Sequence, residues 1–212
     1  MLTTEKYVYQ CSVWPSTGRH ILAQYDAESV VVYQAYRRSI GEWAIRHQKL
    51  GGPHFSDSRM SWIKPNFLWM MYRSGWGTKD GQQVTLALRL RREFFEQILG
   101  NAVQSSYYSV AFESREAWQQ ALARSEVRLQ WDPDHGPKGN PLERRAIQLG
   151  LRGAHLRTLG NEGLLDVVDM TAFVESQRAK VQADRIDELD TPSERIYLPA
   201  SPTTRKILGV ET

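Results

Sequence analysis

Val84-Thr85-Leu86-Ala87-Leu88-Arg89-Leu90-Arg91 sets Val84, Leu86, Leu88 and Leu90 apart at every second position. A period of two puts those four on one face of a strand, and this is the clearest strand signal in the chain. Just before it, Lys79-Asp80-Gly81 reads as a tight turn. Before that turn, Phe67-Leu68-Trp69-Met70-Met71 is apolar nearly all round. That predicts a buried helix, opened by Lys64-Pro65 with the proline in its first turn. After the strand, Glu93–Leu99 reads as a helix closed by Gly100-Asn101.

Further toward the N-terminus, Arg59–Ile63 reads as a short strand and Ile21–Tyr25 as the first strand. Asp26 is placed to cap a helix running to about Leu50, with Val32, Tyr36, Ile40, Trp43 and Ala44 on one face. Toward the C-terminus, Ser114 caps a helix over Arg115–Arg124, and Val127, Leu129 and Trp131 alternate as a strand. Asp132-Pro133-Asp134-His135-Gly136-Pro137 reads as a loop, and Ile147, Leu149 and Leu151 as a further strand. Residues 154–182 read as mostly helical with a restart at Thr171, Ile196-Tyr197-Leu198 as an edge strand, and the last ten residues as mobile. The strands are short and several are neighbours in sequence. That predicts the α+β class, with short, mostly antiparallel mixed sheets flanked by helices. The expected layout is an arm over 1–18, a single domain over 19–182 and an acidic, proline-punctuated tail over 183–212.

With 212 residues, 41% of them hydrophobic, the chain is long enough to bury a core without covalent staples. It has one cysteine, Cys11, and seven tryptophans, which fits a reducing, cytoplasmic compartment. No basic segment followed by an apolar run opens the chain, so no signal peptide is expected. No run approaches the roughly 18 apolar residues of a membrane span. The net charge of +3 is too small to argue for bulk nucleic-acid binding. Its distribution is uneven, however: residues 59–92 hold seven Lys and Arg and a single acid, Asp80. Such an excess focuses field lines onto an anion; the competing reading is a solvated basic face.

Three clusters carry candidate chemistry. Arg59 to Gly77 joins Arg59, Lys64 and Arg73 to Trp62, Trp69 and Trp76. Arginine forks and lysine charges suit phosphate, and indole faces suit a planar ring. Arg19 and Tyr25, followed by Tyr33, Tyr36 and Arg37, supply a second group, with Tyr33 and Arg37 four apart on the expected helix. Gln130-Trp131-Asp132-Pro133-Asp134-His135 supplies two carboxylates beside an imidazole, with Gln148 facing the same way. Against these stand a core helix, a polar rim and an ordinary turn. No metal site is expected, because Cys11 has no spaced partners and His47 and His54 make a weak pair.

Ile21 to Ala27 with Val32 to Tyr36, Arg59 to Pro65 through Trp76, Gln130 to Pro133 and Ala146 to Leu151 together resemble the domain-of-unknown-function 4291 family of bacterial and fungal proteins. That resemblance covers most of residues 19–170 and implies kinship without an activity. Where that pattern has a glutamate after Trp-Asp-Pro, this chain has Asp134. At the level of fold, an arginine heading the first strand and a tyrosine-bearing helix resemble ADP-ribosyltransferases. That likeness implies NAD as cofactor and gives early roles to Arg19 and Tyr33 or Tyr36, although no late Glu-x-Glu element is present.

The function expected is that of a nucleotide-binding transferase using NAD. Arg19, Arg59, Lys64 and Arg73 would bind phosphate or ribose, and Tyr25, Tyr33, Trp62 and Trp76 would wall the base. Asp132 or Asp134 would be the catalytic carboxylate. The alternatives are a module that binds or processes single-stranded nucleic acid on the 59–92 band, and a non-enzymatic interaction domain. No membrane partner is expected, and the sequence leaves the oligomeric state open.

Overall fold

The structure is a computed structural model that describes residues 2–211. It is α+β, with small and mostly antiparallel sheets. The central strand is β5 (Val84–Arg91), flanked by β3 (Ser29–Tyr36) and β9 (Leu164–Asp169), both antiparallel to it. A second sheet runs β4 (Ser61–Ile63), β8 (Pro141–Leu151), β7 (Val127–His135), β6 (Val103–Gln104), antiparallel except for the β6–β7 pair. Two ribbons complete the set. Strand β1 (Thr4–Lys6) pairs β10 (Asp190–Pro192), and β2 (Ile21–Ala23) pairs β11 (Arg195–Tyr197). The expected strand at Ile196 is therefore present, at an edge.

The two larger sheets are tied at one point. Tyr33 N donates to Lys64 O at 2.7 Å and Lys64 N donates to Tyr33 O at 3.1 Å. That exchange brings β3 alongside the end of β4.

Strand β3 overturns the helix expected over Asp26–Leu50. Val30-Val31-Val32-Tyr33 is β-branched and aromatic, and it is buried on both faces. Val30 and Val32 join the core between the sheets, while Val31 and Tyr33 join a smaller core with Phe67, Leu68 and Met70. The spacing of four that suggested a helix is also an even number, so a strand satisfies it equally. Asp26 caps no helix: its Oδ1 accepts from Glu28 N at 2.9 Å and Ser29 N at 2.7 Å, closing a turn between β2 and β3. Helix α2 (Arg38–His47) begins only after Arg37.

Three other expectations are corrected in the same way. Strand β7 continues through Asp132-Pro133-Asp134-His135, where a loop was expected. Partner β6 pairs only Arg128 and Leu129, so Pro133 sits on a free edge beside a register shift, where its missing N–H costs no ladder bond. Strand β9 interrupts the stretch expected to be helical, between α6 (Gly153–Gly160) and α7 (Thr171–Gln182). The C-terminal residues fold into α8 (Pro202–Leu208), whose Leu208 is fully buried, while Thr212 lies outside the described residues.

The remaining helices follow the sequence more closely. Helix α3 (Phe67–Ser74) is buried as expected, but Asn66 starts it: Asn66 Oδ1 accepts from Trp69 N at 2.7 Å, and Pro65 precedes the cap. Helices α4 (Arg92–Gly100) and α5 (Arg115–Arg124) lie where expected, the second capped by Ser114 Oγ. Near the N-terminus, α1 (Tyr7–Val13) follows β1.

Gly41 brings α2 onto β5. A Cβ there would lie 2.5 Å from Val84 Cβ, an atom fixed to the backbone that cannot rotate away. Gly41→Ala is expected to lower stability by about 1–2 kcal/mol, because overpacking outweighs the gain in helix propensity. An unchanged urea midpoint would show that the helix lifts off β5 freely.

Candidate functional site

The four-stranded sheet has two unlike faces. Pairing sets Trp62 opposite Gly150, Arg128 opposite Gly150, Gln130 opposite Gln148 and Asp132 opposite Ala146. Trp62, Gln148, Gln130 and Asp132 therefore project from the same face, together with Arg128. The other face carries Ile63, Leu149, Leu151, Leu129 and Val127, all in the main core. Gly150 is needed under the indole, since a Cβ there would sit 3.0 Å from Trp62 Cε2 and closer still to Met60 Sδ.

A cleft of about 420 Å³ opens on the polar face, at the junction with β3. Trp62 and Lys64 come from β4 and its end, Gln130 and Gln148 from β7 and β8, Gln34 and Tyr36 from β3, and Arg73 from α3. Ala35, Met60, Ser61, Met70 and Gln82 complete the wall.

Lys64 is the decisive group. Its residue is 5% exposed, its Nζ donates only to Trp62 O at 3.3 Å, and among the described residues it makes no ion pair. Burial pulls its ammonium down to about 8, the Arg73 charge pushes the same way, and Asp132 opposes both. Two cations thus share a polar cleft without a matched carboxylate.

The amides are aligned for a polar ligand. Gln148 Nε2 donates to Gln130 Oε1 at 2.8 Å and to Asp132 Oδ2 at 2.7 Å. Those bonds leave Gln130 Nε2 and Gln148 Oε1 as a free donor and a free acceptor. Opposite them, Tyr36 OH donates to Gln34 Oε1 at 2.5 Å and Gln34 Nε2 donates to Ser61 Oγ at 2.7 Å. Burial pushes the Tyr36 phenol up to about 12, so it stays neutral and acts as a fixed donor.

A smaller compartment of about 200 Å³ adjoins the cleft and shares Gln130 with it. It is lined by Arg19, Gln104, Ser106, Leu129, Trp131 and Asp132. Of the ten residues singled out from the sequence, the structure gathers Trp62, Lys64 and Arg73 in the cleft and Arg19 and Asp132 in this compartment. Gln34, Ser61 and Gln82 belong to the site without having been singled out. A glutamine 3% exposed inside the apolar run of β3 was the available signal for Gln34.

The other five lie elsewhere. Tyr33 is fully buried and packs edge-on against Phe67 at 5.4 Å, so it forms core and no cleft wall. Tyr25 sits on the far side against Tyr197 and under Arg195, lining a separate cavity. Trp76 donates to Pro137 O at 3.1 Å beside Arg178, in another groove, and Arg59 is exposed outside all these cavities. Asp134 is 1% exposed and ion-paired with Arg144, whose Nε and Nη2 donate to Asp134 Oδ2 at 2.8 and 2.6 Å.

Around that pair lies a buried polar knot. Glu194 Oε1 accepts from Phe67 N at 2.7 Å and its Oε2 from Asn66 Nδ2 at 3.2 Å. Burial holds the Glu194 carboxyl well above the ordinary range, and Asp134 adds to the effect. Folded, Glu194 keeps a proton that the unfolded chain gives up near the usual carboxylate value. Stability from this group is therefore complete below that value and is lost as pH rises toward the folded one. The urea midpoint is expected to fall as pH is raised above the ordinary carboxylate value. Glu194→Gln should flatten that slope whatever its absolute stability; an unchanged slope would place the titration elsewhere.

The sequence profile described as Domain of unknown function (DUF4291) matches residues 20–197, which spans both larger sheets, the whole cleft and all of the smaller compartment but Arg19. The chain belongs to this family. Membership in DUF4291 assigns no chemistry, so the cleft has to be read from its own groups. None of the curated proteins matches the chain. Among the described residues, no three His, Cys, Asp or Glu side chains gather as a metal site, and no helix is long and apolar enough to cross a membrane.

Proposed function

We propose that this DUF4291 chain binds NAD in the β3–β4 cleft and uses it for group transfer. The observation that carries the reading is Lys64. An ammonium held 5% exposed with no carboxylate partner destabilises the fold, and an anion arriving in the cleft would remove that cost. Arg73 at the rim adds a planar fork suited to a pyrophosphate. The free donor of Gln130 and the free acceptor of Gln148 match the two ends of a carboxamide, as in a nicotinamide ring. Trp62 offers a face to that ring.

Asp132 lines the smaller compartment, beside the cleft's Gln130 and Gln148. One oxygen is held by Gln148, and it is the carboxylate available to take a proton or to face a developing positive charge at ribose C1. The tyrosine-bearing helix behind the likeness to ADP-ribosyltransferases is strand β3 here, so the assignment rests on the cleft's own groups. Transfer from NAD needs no metal. The exposed, unpaired Cys11 suits a reducing, cytoplasmic setting.

Calorimetric titration with NAD, ADP-ribose, AMP and nicotinamide tests the reading. NAD and ADP-ribose should bind, and Arg73→Ala should weaken both by roughly 1.5–3 kcal/mol, the worth of a hydrogen bond to a charged group. If neither binds, the nucleotide reading fails. Strong, salt-sensitive binding of a short single-stranded RNA in their place would favour a nucleic-acid module instead.

A further inference from the structure

Arg19 and Asp132 line the same small compartment, yet they are not ion-paired with each other. Among the described residues no carboxylate makes an ion pair with the Arg19 guanidinium. It rests over the Tyr108 ring at 5.3 Å, while Glu211 Oε1 takes the Arg19 backbone N–H at 3.3 Å. Asp132 has one oxygen committed to Gln148. An unmatched cation and a half-committed carboxylate in the lining of one small cavity suit a ligand with two ends, one anionic and one that donates a hydrogen bond.

We propose that this compartment is the acceptor subsite of the transferase. It would take a small anionic alcohol, with a phosphate or carboxylate on Arg19 and a hydroxyl against Asp132. The proposal rests on the NAD reading for its chemistry, but the anion-binding role of Arg19 stands on its own geometry. Gln130 lies in the wall common to both compartments, and Asp132 of the smaller one accepts from Gln148 of the cleft at 2.7 Å. In the step itself the acceptor oxygen forms a bond to ribose C1 of NAD. The C1–N bond breaks with its electron pair going to the nicotinamide nitrogen, which leaves neutral. The hydroxyl proton passes to the Asp132 carboxylate. No further oxidant, reductant or metal is required.

Glycerol 3-phosphate is a suitable probe, with glycerol lacking the anion and inorganic phosphate lacking the carbon-borne hydroxyl. Titrated into the full chain without NAD, glycerol 3-phosphate should bind more tightly than either fragment. Arg19→Met should weaken it by about tenfold or more. Ser106→Trp, which fills the compartment from another side, should do the same. With NAD present, glycerol 3-phosphate should speed nicotinamide release and gain the mass of an ADP-ribosyl group, and Asp132→Asn should abolish both. Equal binding in Arg19→Met and the unchanged chain, no binding at all, or loss confined to Lys64→Met would each overturn the subsite. If Arg19-dependent binding persists while NAD fails to bind, the donor reading falls and the compartment remains an anion site.

Discussion

Lys64→Met is expected to melt higher than the unchanged chain at neutral pH while losing its affinity for NAD. The argument starts from the burial of the ammonium. In the unfolded chain Lys64 titrates near 10.5, and in the folded chain near 8. Below the folded value both states carry the proton, so the full cost of burying the charge is present. Between the two values the folded chain sheds the proton first, and stability rises with pH. Methionine fills similar space without a charge, so its gain should appear at pH 7 and shrink as pH climbs. Converted from the shift, the gain is up to about 3 kcal/mol. For a chain of this size that is a rise of roughly 6–12 °C in Tm. The affinity for NAD should meanwhile fall by roughly 2–5 kcal/mol, about thirtyfold to a few thousandfold. In the unchanged chain, affinity should hold steady up to about pH 8 and weaken above it, as the free protein loses the charge that meets the phosphates. A variant that loses both stability and binding would mean that Lys64 has a partner in solution and is structural.

Asp134→Ala and Asp132→Asn should behave in opposite ways, although the two carboxylates are two residues apart on β7. Asp134 and Arg144 are nearly buried, and the Arg144 guanidinium also donates to Pro15 O at 2.6 Å and lies 5.3 Å over the Trp14 ring. Removing the carboxylate strands the arginine in the interior. The expected cost is about 3–5 kcal/mol, a fall of roughly 6–20 °C in Tm. Any protein that still folds should keep its affinity for NAD. Asp132→Asn keeps the shape and a bond to Gln148, so its stability should move by under about 1 kcal/mol while turnover of NAD is lost. Comparing melting curves and nicotinamide release for the pair decides between them. Activity lost with Asp134 at unchanged stability would move the catalytic role back to Asp134.

The two cases show how unevenly the site was legible. Trp62, Lys64 and Arg73 stood out because indole, ammonium and guanidinium close together in one short stretch suggest an anionic, ring-bearing ligand whatever the fold. Tyr33 and Trp76 carry the same chemical signal and lie elsewhere. On a strand, Tyr33 and Gln34 face opposite ways, so the choice between strand and helix over Ser29–Tyr36 decided which one lined the cleft. Asp132 and Asp134 were equivalent in sequence. Only the register of β7 on β8, with its shift after Pro133, sets one against Gln148 and turns the other into the interior.

The sequence by itself determined the class of the fold, the buried helix α3, the strand β5 and the excess of positive charge over residues 59–92. Those rest on composition and short-range periodicity, which are local properties of the chain. Tertiary structure alone decided that Val30–Tyr33 is a strand, because a segment buried on both faces shows no alternation to read. It also decided that Gln34, Gln130 and Gln148 gather around Lys64. They come from β3, β7 and β8, and they meet only because the Tyr33–Lys64 exchange draws the two sheets together.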